Sequence, residues 1–224
     1  MPTMPTRRPI AAPSTLSAFA AGRRGALAIL GTALLLTACG TTPKASLYTL
    51  DDGRPGGQGN GPSVLLLSAS LPELLDRPQL VLRGPDQRIL LSEQQRWAES
   101  LRSGIARSIA ADLGRLLASS RVAALPNGAP HFDADFRLTL HVQRLEAQVG
   151  RGVDLDLLWT LQPRQGKELL GRSQVHEPLA AGSETMTGDG GAAALVAAQR
   201  RALSQAAAEI AAAIRSQPLP AAAQ

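Results

Sequence analysis

Three segments in the second half of the chain alternate apolar and polar residues one by one. They span residues 136–142, 153–161 and 169–175, and turn-type sequences with glycine or proline separate them. Alternation with a period of two places one face of a β-strand in the core and the other face nearer to solvent. The pattern therefore predicts an antiparallel meander of three strands.

Shorter apolar segments predict further strands in the first half. Residues 64–67 form a continuous apolar run, as in a strand that is covered on both faces. Residues 80–83 and 88–91 flank Gly84-Pro85-Asp86-Gln87, whose glycine and proline favour a tight turn. The flanking segments therefore predict a hairpin, and residues 46–50 are a possible first strand.

Helical periodicity predicts two long helices. Ser92-Glu93-Gln94-Gln95 has the pattern of a capping box and would open the first helix. Apolar residues then recur every four positions and predict a buried stripe: Trp97, Leu101, Ile105, Ile109, Leu113 and Leu117. The alanine-rich residues 192–214 predict the second helix, with Asp189 as its cap. Together these patterns predict an α/β fold of the α+β type: a single domain with a mixed, largely antiparallel sheet packed by two long helices.

The N-terminus has the features of an export signal. Four arginines precede or flank the start of an uncharged apolar stretch at residues 25–36. A bilayer-spanning helix needs about 20 apolar residues, so this stretch fits a signal peptide better than the alternative, a transmembrane anchor. Ala38-Cys39 resembles the cleavage box of bacterial lipoproteins. We expect cleavage between Ala38 and Cys39, removal of residues 1–38, and a lipid with acyl chains such as palmitate on the thiol of Cys39.

Lipidation of Cys39 leaves no thiol for a disulfide or for a cysteine-ligated metal, because the chain has one cysteine. Two or three acyl chains hold a protein firmly on one leaflet without spanning it. Gly40 follows, where lipoproteins that stay at the inner membrane of enteric bacteria tend to have aspartate. This resemblance favours attachment to the outer membrane of a Gram-negative bacterium, on the periplasmic face.

Composition divides the mature chain into three parts. Residues 39–62 are predicted to be a lipidated tether, with the possible first strand and a Gly/Pro-rich stretch at 51–62 that we expect to be a flexible loop with no means of packing. Residues 63–217 are long enough for one domain with a sizeable core. Residues 218–224 are predicted to be a disordered tail.

Charge and aromatic content argue against a nucleic-acid partner. The formal net charge is +5, but residues 1–38 hold four arginines and no acidic residue, so the mature chain is close to neutral. Aromatic residues make up 3% of the chain, which leaves little with which to stack bases.

Candidate chemistry is sparse. His131, His141 and His176 lie far apart in sequence and match no metal-ligand spacing. Gly166-Lys167 lacks the other residues of a phosphate-binding loop. We therefore predict no enzyme, no metal site and no cofactor.

Two carboxylate pairs allow more than one interpretation. Asp154 and Asp156 share one strand face, and Asp133 and Asp135 share another, so either pair could serve acid–base catalysis or bind a cation. A solvated strand face that resists edge-to-edge aggregation is the simpler interpretation.

Two tryptophans and one glycine-rich stretch complete the candidate residues. Trp97 and Trp159 lie on apolar stripes and are predicted core residues, with contact to lipid or to a partner as the alternative. Residues 188–191 are predicted to be a mobile loop before the last helix, with an anion site at that helix N-terminus as an alternative.

Two central motifs resemble those of a known family. Residues 74–81 (LLDRPQLV) resemble its "YLDRPQ-V-R" segment, and residues 96–101 (RWAESL) resemble its "RWAEPL" helix start. A lipobox, Tyr48-Thr49-Leu50, the later strand residue Trp159 and the alanine-rich last helix complete the pattern. By these features the chain is identified as a member of the PqiC family, the ABC-type transport auxiliary lipoprotein component. Leu74 and Ser100 stand where this family usually has tyrosine and proline.

The resemblance implies a non-enzymatic subunit of an envelope lipid-transport system built around an MCE-domain protein. In such systems an inner-membrane permease and MCE subunits reach across the periplasm, and the lipoprotein receives the distal end of that conduit at the outer membrane. Any ATP hydrolysis would belong to another subunit, and a homo-oligomeric ring is implied. The motif residues become candidates for a structural role or for partner contact: Leu75, Asp76, Arg77, Pro78, Arg96, Trp97 and Glu99.

Two other functions stay open at this point. The chain could be a periplasmic scaffold or regulator that activates a cell-wall enzyme, or a hydrolase that depends on Asp154 and Asp156. The candidate contact surfaces are the loops at residues 71–78 and 182–191, because loops carry recognition more often than strands do.

Overall fold

Two helices pack on a forked β-sheet. The computed structural model describes residues 44–84, 86–125, 132–183 and 188–218. Within these residues the strands are β1 (Ser46–Tyr48), β2 (Val64–Ser70), β3 (Gln79–Arg83), β4 (Ile89–Trp97), β5 (Val122–Ala124), β6 (Phe136–Gln148), β7 (Gly152–Pro163) and β8 (Leu169–Pro178). The helices are α1 (Leu101–Leu116) and α2 (Gly188–Arg215).

Strand β6 organises the sheet, because both of its edges are paired. One edge pairs antiparallel with β7 along the whole strand, and β7 pairs antiparallel with β8. The other edge is shared, since β2 pairs in parallel with the first half of β6 and β3 pairs in parallel with its last residues. Beyond β2 lies β5, and beyond β3 lie β4 and then β1. The sheet therefore forks where residues 71–78 connect β2 to β3.

The core lies between the apolar faces of the strands and the two helices. Phe136, Leu138 and Leu140 of β6 are fully buried, and α2 packs on α1, β7 and β8. Fully buried alanines, among them Ala202 and Ala206, let the backbone of α2 approach its neighbours closely. Burial of a leucine side chain contributes roughly 1.5–3 kcal/mol, so these strands supply a large share of the folding free energy.

The predicted fold is confirmed. The three alternating segments form β6, β7 and β8, and their antiparallel ladders are the longest in the described sheet. Strands β3 and β4 form the predicted hairpin, and β1 forms within residues 46–50. Both long helices are present, and Trp97 and Trp159 are buried as predicted.

The predicted start of the first helix is wrong. Residues 92–95, which have a capping-box pattern, belong to β4, and α1 begins at Leu101 after the N-cap residue Ser100. Gln95 and Trp97 pair with β1, and Trp97 also donates a backbone hydrogen bond to Pro78. Strand pairing at the sheet therefore outweighs the local helix signal, and Trp97 is buried at the end of a strand instead of on the helix stripe.

The predicted loop at residues 188–191 is also wrong, because these residues form the first turn of α2. Asp189 lies inside that turn and does not precede it as a cap. Its carboxylate accepts hydrogen bonds from Ser46 at 2.7 Å and from Gln95 at 3.3 Å. These two bonds hold the pKa of Asp189 below its ordinary value. A carboxylate already stands at this helix N-terminus, so the alternative of an anion site loses its basis.

The Gly/Pro-rich residues 51–62 have no strand or helix, yet they pack on α1. A Cβ atom at Gly57 would collide with the backbone of Gly114 in α1, so only glycine allows this close approach. The backbone N–H of Gly61 donates to the carbonyl of Ala118 at 2.9 Å, and Asn60 forms an isolated bridge with Ser119. The expectation of a stretch with no means of packing is therefore wrong.

Several predictions fall outside the described residues. They concern the signal peptide at residues 1–38 with its cleavage site at Ala38, and the lipidation site Cys39. They also concern His131, Pro85, part of the loop at 182–191 and most of the C-terminal tail. Neither α1 nor α2, the helices of the described part of the chain, has an apolar stretch long enough to cross a membrane.

Candidate functional site

The two motifs singled out in the sequence lie side by side in the fold. Residues 74–81 run through a loop into β3, and residues 96–101 run from the end of β4 into α1. Gln79 pairs with Arg96 across the two strands, and the backbone N–H of Trp97 donates to the carbonyl of Pro78 at 2.7 Å. We call this contact the motif junction. It fixes the base of the β3–β4 hairpin to the start of α1.

Charged residues of the motif junction bind α1. Asp76 forms a salt bridge with Arg102, and Glu99 forms one with Arg107. These side chains are about half exposed, so each pair adds a modest amount to stability, roughly 0–1 kcal/mol, and mainly fixes geometry. The apolar motif residues Leu75 and Trp97 are buried in the core. Most of the motif side chains thus have an evident structural role.

The structure explains how serine can stand at position 100, where the family usually has proline. This residue is the N-cap of α1, and its φ of −62° is a value that proline also adopts. Its hydroxyl accepts a hydrogen bond from the backbone N–H of Ser103 at 3.2 Å. The serine therefore keeps the backbone conformation that proline would have and adds a capping oxygen.

A small apolar groove lies beside the motif junction. Leu74 and Leu75 from the loop line it together with Val81 and Ile89 of the hairpin, and its volume is about 110 Å³. A salt bridge of 2.8 Å between Arg83 and Glu146 lies at its wall. The side chain of Leu74 is 40% exposed at this site. The loop groove, as we call it, is suited to apolar contact with a partner.

Asp154 and Asp156 share the outer face of β7, as the alternation predicts, but each binds a cross-strand partner on β8. Asp156 accepts from Nε and Nη2 of the Arg172 guanidinium at 2.8 and 2.6 Å, and these bonds hold the pKa of Asp156 below its ordinary value. Asp154 accepts from Gln148 at 3.1 Å and contacts His176 Nδ1 at 2.7 Å. The two carboxylates therefore join β7 to β8, and together with His176 they line a shallow open groove of about 230 Å³.

Asp133 and Asp135 also point to different partners. The carboxylate of Asp135 accepts from the backbone N–H of Ser63 at 2.8 Å and from its hydroxyl at 2.7 Å, which joins the starts of β2 and β6. Asp133 forms a salt bridge with Arg164. This pair lies before β6 and not on its strand face.

The two described histidines lie on the polar face of the sheet, as predicted. His141 Nδ1 contacts the hydroxyl of Ser70 at 2.9 Å, and His176 contacts Asp154. One pair lacks a carboxylate and the other lacks a serine, so neither forms the serine–histidine–carboxylate constellation of a hydrolase. No group of three or more potential metal ligands occurs within the described residues.

Trp159 has a packing partner that the sequence does not reveal. It stands opposite Gly171 on β8, and a Cβ atom at Gly171 would collide with the indole ring. The indole therefore lies flat over the glycine, and its Nε1 donates to the hydroxyl of Ser173 at 3.2 Å. This tryptophan is a core residue with a satisfied donor.

An ion cluster that the sequence did not predict connects Asp52 to both helices. Asp112 of α1 accepts from Arg200 of α2 at 2.6 Å and from Arg115. Asp52 accepts from Arg200 at 2.8 Å and from Arg115 at 3.0 Å. Partial burial raises the pKa of Asp52, but the backbone N–H of Arg54 and the two guanidiniums outweigh burial and hold this pKa below its ordinary value. The only sequence signal is that Asp112 borders the apolar stripe of α1.

Comparison with known proteins identifies the family and the fold. The family model for the ABC-type transport auxiliary lipoprotein component matches residues 48–211. No curated protein matches the chain. One solved structure of an uncharacterized protein is 18% identical, with a TM-score of 0.55, and the match covers 76% of this chain and 99% of that one. A Xanthomonas campestris protein of the family model DUF330 is also 18% identical, with a TM-score of 0.54, over 75% of this chain and 93% of that one. These two likenesses show the fold.

Proposed function

Because the chain belongs to the family of ABC-type transport auxiliary lipoprotein components, we propose that it is the outer-membrane lipoprotein subunit of an MCE-type lipid-transport system. In this role it is anchored on the periplasmic face through Cys39, docks to the MCE conduit and carries out no catalysis itself. The family match over residues 48–211 is the observation that carries the proposal.

The position of Cys39 relative to the folded domain supports anchoring. Four residues separate Cys39 from Lys44, where the described chain begins, and β1 follows at Ser46 as an edge strand of the sheet. Acyl chains on Cys39 would therefore hold the domain directly at a bilayer surface. The proposed parts are a cleaved signal at 1–38, a lipidated segment at 39–62, the domain at 63–217 and a short tail.

The state of the polar residues supports a binding role in preference to a catalytic one. Asp156 is bound bidentately by Arg172, and Asp154 is engaged by His176 and Gln148. A general base or nucleophile needs an activated group that faces an open space for substrate. These carboxylates do border an open groove of about 230 Å³, but their oxygens are engaged by Arg172, Gln148 and His176, as expected for a subunit that acts by shape and contact.

We propose the loop side of the loop groove, formed by Leu74 and Leu75, as the contact for the MCE partner. The groove combines an exposed leucine, Leu74, with a wall held rigid by the motif junction and by the salt bridge between Arg83 and Glu146. Rigid apolar sites of this kind need little ordering on binding. Ring assembly of the lipoprotein around the end of the conduit is part of the same proposal.

Co-purification with the MCE-domain proteins of the same bacterium tests this function. Wild-type lipoprotein in native membrane extracts should retain an MCE-domain protein. Leu74→Asp should reduce that recovery about tenfold or more, which corresponds to ~1.4 kcal/mol of binding free energy. Leu170→Asp is the matched control, because Leu170 is 79% exposed on the edge strand β8 and should leave recovery unchanged. Wild-type protein that recovers no MCE-domain protein would contradict the proposal.

The phenotype of a deletion strain separates this function from the activation of a cell-wall enzyme. Loss of a lipid-transport subunit should give sensitivity to detergent and a defect in outer-membrane lipid asymmetry. A defect in cell shape or division, with an intact permeability barrier, would instead support a regulator of wall synthesis.

A further inference from the structure

Directly behind the polar turn of the β3–β4 hairpin, which carries the exposed residues Asp86 and Arg88, strand β4 exposes three consecutive aliphatic side chains. Ile89, Leu90 and Leu91 are 36%, 42% and 48% exposed, and we call these three residues the hairpin tip. Consecutive residues of a strand point to opposite faces, so both faces of the tip are apolar. A strand with two apolar faces is normally covered on both sides. The exposed tip therefore indicates a surface that something outside the domain covers.

The two faces of the hairpin tip open onto apolar surroundings. On one face, Ile89 lines the loop groove with Leu74. On the other face, Leu90 and Leu82 line a cavity of about 220 Å³ with Leu195 and Ala192 from the first turns of α2. The cavity also includes the turn between β6 and β7. The tip is thus the centre of an apolar region at one end of the molecule.

The direction of β1 relates this end of the molecule to the lipid anchor. Strand β1 runs parallel to β4 with Ser46 opposite Gln95, and β4 starts at the hairpin tip. The N-terminal end of β1 therefore faces the same end of the molecule as the tip. Ile89 lies six residues before Gln95, which is at most ~20 Å along a strand.

The length of the chain before β1 limits how far the bilayer can lie from the domain. Seven residue steps join Cys39 to Ser46, and a fully extended chain spans at most ~3.6 Å per residue, so the anchored cysteine lies within ~25 Å of Ser46. This maximum is close to the distance by which the hairpin tip extends beyond Ser46. A bilayer that holds the acyl chains of Cys39 is therefore within reach of the tip, and any bend in the tether brings it closer.

We propose that the hairpin tip docks on the bilayer that holds the acyl chains of Cys39, and so orients the domain on the membrane surface. Aliphatic side chains gain free energy when they leave water for the boundary of the hydrocarbon region, and the short tether of Cys39 makes the bilayer the apolar surface within reach of the tip. Three partly immersed side chains are too few to bind a membrane alone. They suffice to orient a domain that its lipid already holds at high effective concentration. This inference rests on the proposed anchoring through Cys39.

Depth-dependent fluorescence of the lipidated protein tests the docking. Lipidation occupies the thiol of Cys39, so Leu90→Cys introduces the one free thiol of the mature chain, to which an NBD fluorophore is attached. The labelled protein is reconstituted in vesicles of phosphatidylethanolamine and phosphatidylglycerol, with and without doxyl-labelled lipids. Leu170→Cys is the control, because Leu170 is an exposed strand leucine at the other end of the β7–β8 ladder.

Docking predicts a blue-shifted emission at position 90 and quenching by doxyl lipids of about twofold or more, since interfacial groups lie ~5–10 Å deep. The label at position 170 should stay solvent-like and unquenched. Equal, solvent-like emission at both positions would overturn the docking alone. A blue shift at position 90 without quenching by lipid would also overturn it, in favour of a protein contact. A mass measurement of the same preparation that finds Cys39 bare would overturn the anchoring and, with it, this inference.

Discussion

The central strand β6 and the hairpin tip belong to one sheet but place their apolar side chains differently. Along β6, Leu138 and Leu140 are fully buried on one face, and the polar residues between them lie on the other face. At the tip, residues 89–91 are apolar without interruption and partly exposed. Alternation along β6 thus accompanies an apolar face that the domain itself buries. The uninterrupted apolar run at the hairpin tip accompanies apolar side chains that the domain leaves partly exposed, and these are available to a surface outside the domain.

Matched leucine truncations should show the largest difference between the two regions. Leu140→Ala removes a fully buried side chain and should lower the free energy of unfolding by about 2–5 kcal/mol. Leu90→Ala removes one that is 42% exposed and should lower it by less than about 1 kcal/mol. Urea denaturation followed by circular dichroism measures both values. Equal losses would mean that the tip belongs to the core and would remove the contrast.

The loss of a charged pair should also destabilise the protein more in the buried interior than in the exposed hairpin. Asp112→Asn breaks the buried ion cluster and should cost about 2–3 kcal/mol, below the 3–5 kcal/mol of a fully buried pair because Asp52 still serves Arg115 and Arg200. Asp86→Asn breaks the exposed pair with Arg88 in the hairpin turn and should cost no more than about 0.5 kcal/mol. Thermal unfolding of the two variants provides the comparison, and a stable Asp112→Asn protein would refute the structural role of the cluster.

Glycine substitutions test close packing in the β6–β7–β8 meander and in the hairpin. Gly171→Ala places a methyl group against the Trp159 indole and should destabilise the protein by about 1–3 kcal/mol. Gly84→Ala in the hairpin meets only the flexible side chain of Asp86 and should cost less than about 1 kcal/mol. Adding Trp159→Phe should make the Gly171→Ala change cheaper, because the atoms that collide belong to the larger indole ring. Additive losses in the double variant would contradict this contact.

Acid should weaken the ion cluster and leave the hairpin tip unaffected. The pKa of Asp52 is lower in the folded chain than in the unfolded one, so its charged interactions stabilise the fold above the unfolded pKa of about 3.9 and are lost as the pH falls through the folded value. We expect Asp52→Asn to cost about 1 kcal/mol at pH 7 and progressively less as the pH falls below about 3.9. Melting temperatures of the wild type and the variant, measured at a series of pH values from 7 downward, report this cost. If the difference in melting temperature between wild type and variant grew on acidification, the prediction would be wrong.

Regular patterns predicted the regular part of the fold. The period-two segments predicted β6, β7 and β8 because those strands have one core face and one solvent face along most of their length. The prediction failed at residues 92–95, where a local helix-start pattern lies in a strand. Pairing with β1 and β3 decides that conformation, and pairing between distant segments is not a local property.

The sites were harder to predict because their members come together only in the fold. Asp52, Asp112 and Arg200 are far apart in sequence, and no spacing rule links them. The close approach of Gly57 to α1 was also not predictable from the sequence. A glycine-rich segment has the composition of a loop whether or not it packs against a helix. By contrast, residues 89–91 carried a visible signal in three adjacent apolar residues, and what the sequence could not show was their exposure.

Mass spectrometry of the intact chain purified from membranes tests the central claim most directly. The account predicts a polypeptide that begins at Cys39, with a diacylglyceryl group on the thiol and the first 38 residues removed. A chain with a free Cys39 thiol and the N-terminal segment still attached would contradict it, because the acyl chains that hold the domain and its hairpin tip at a bilayer in this account would then be absent.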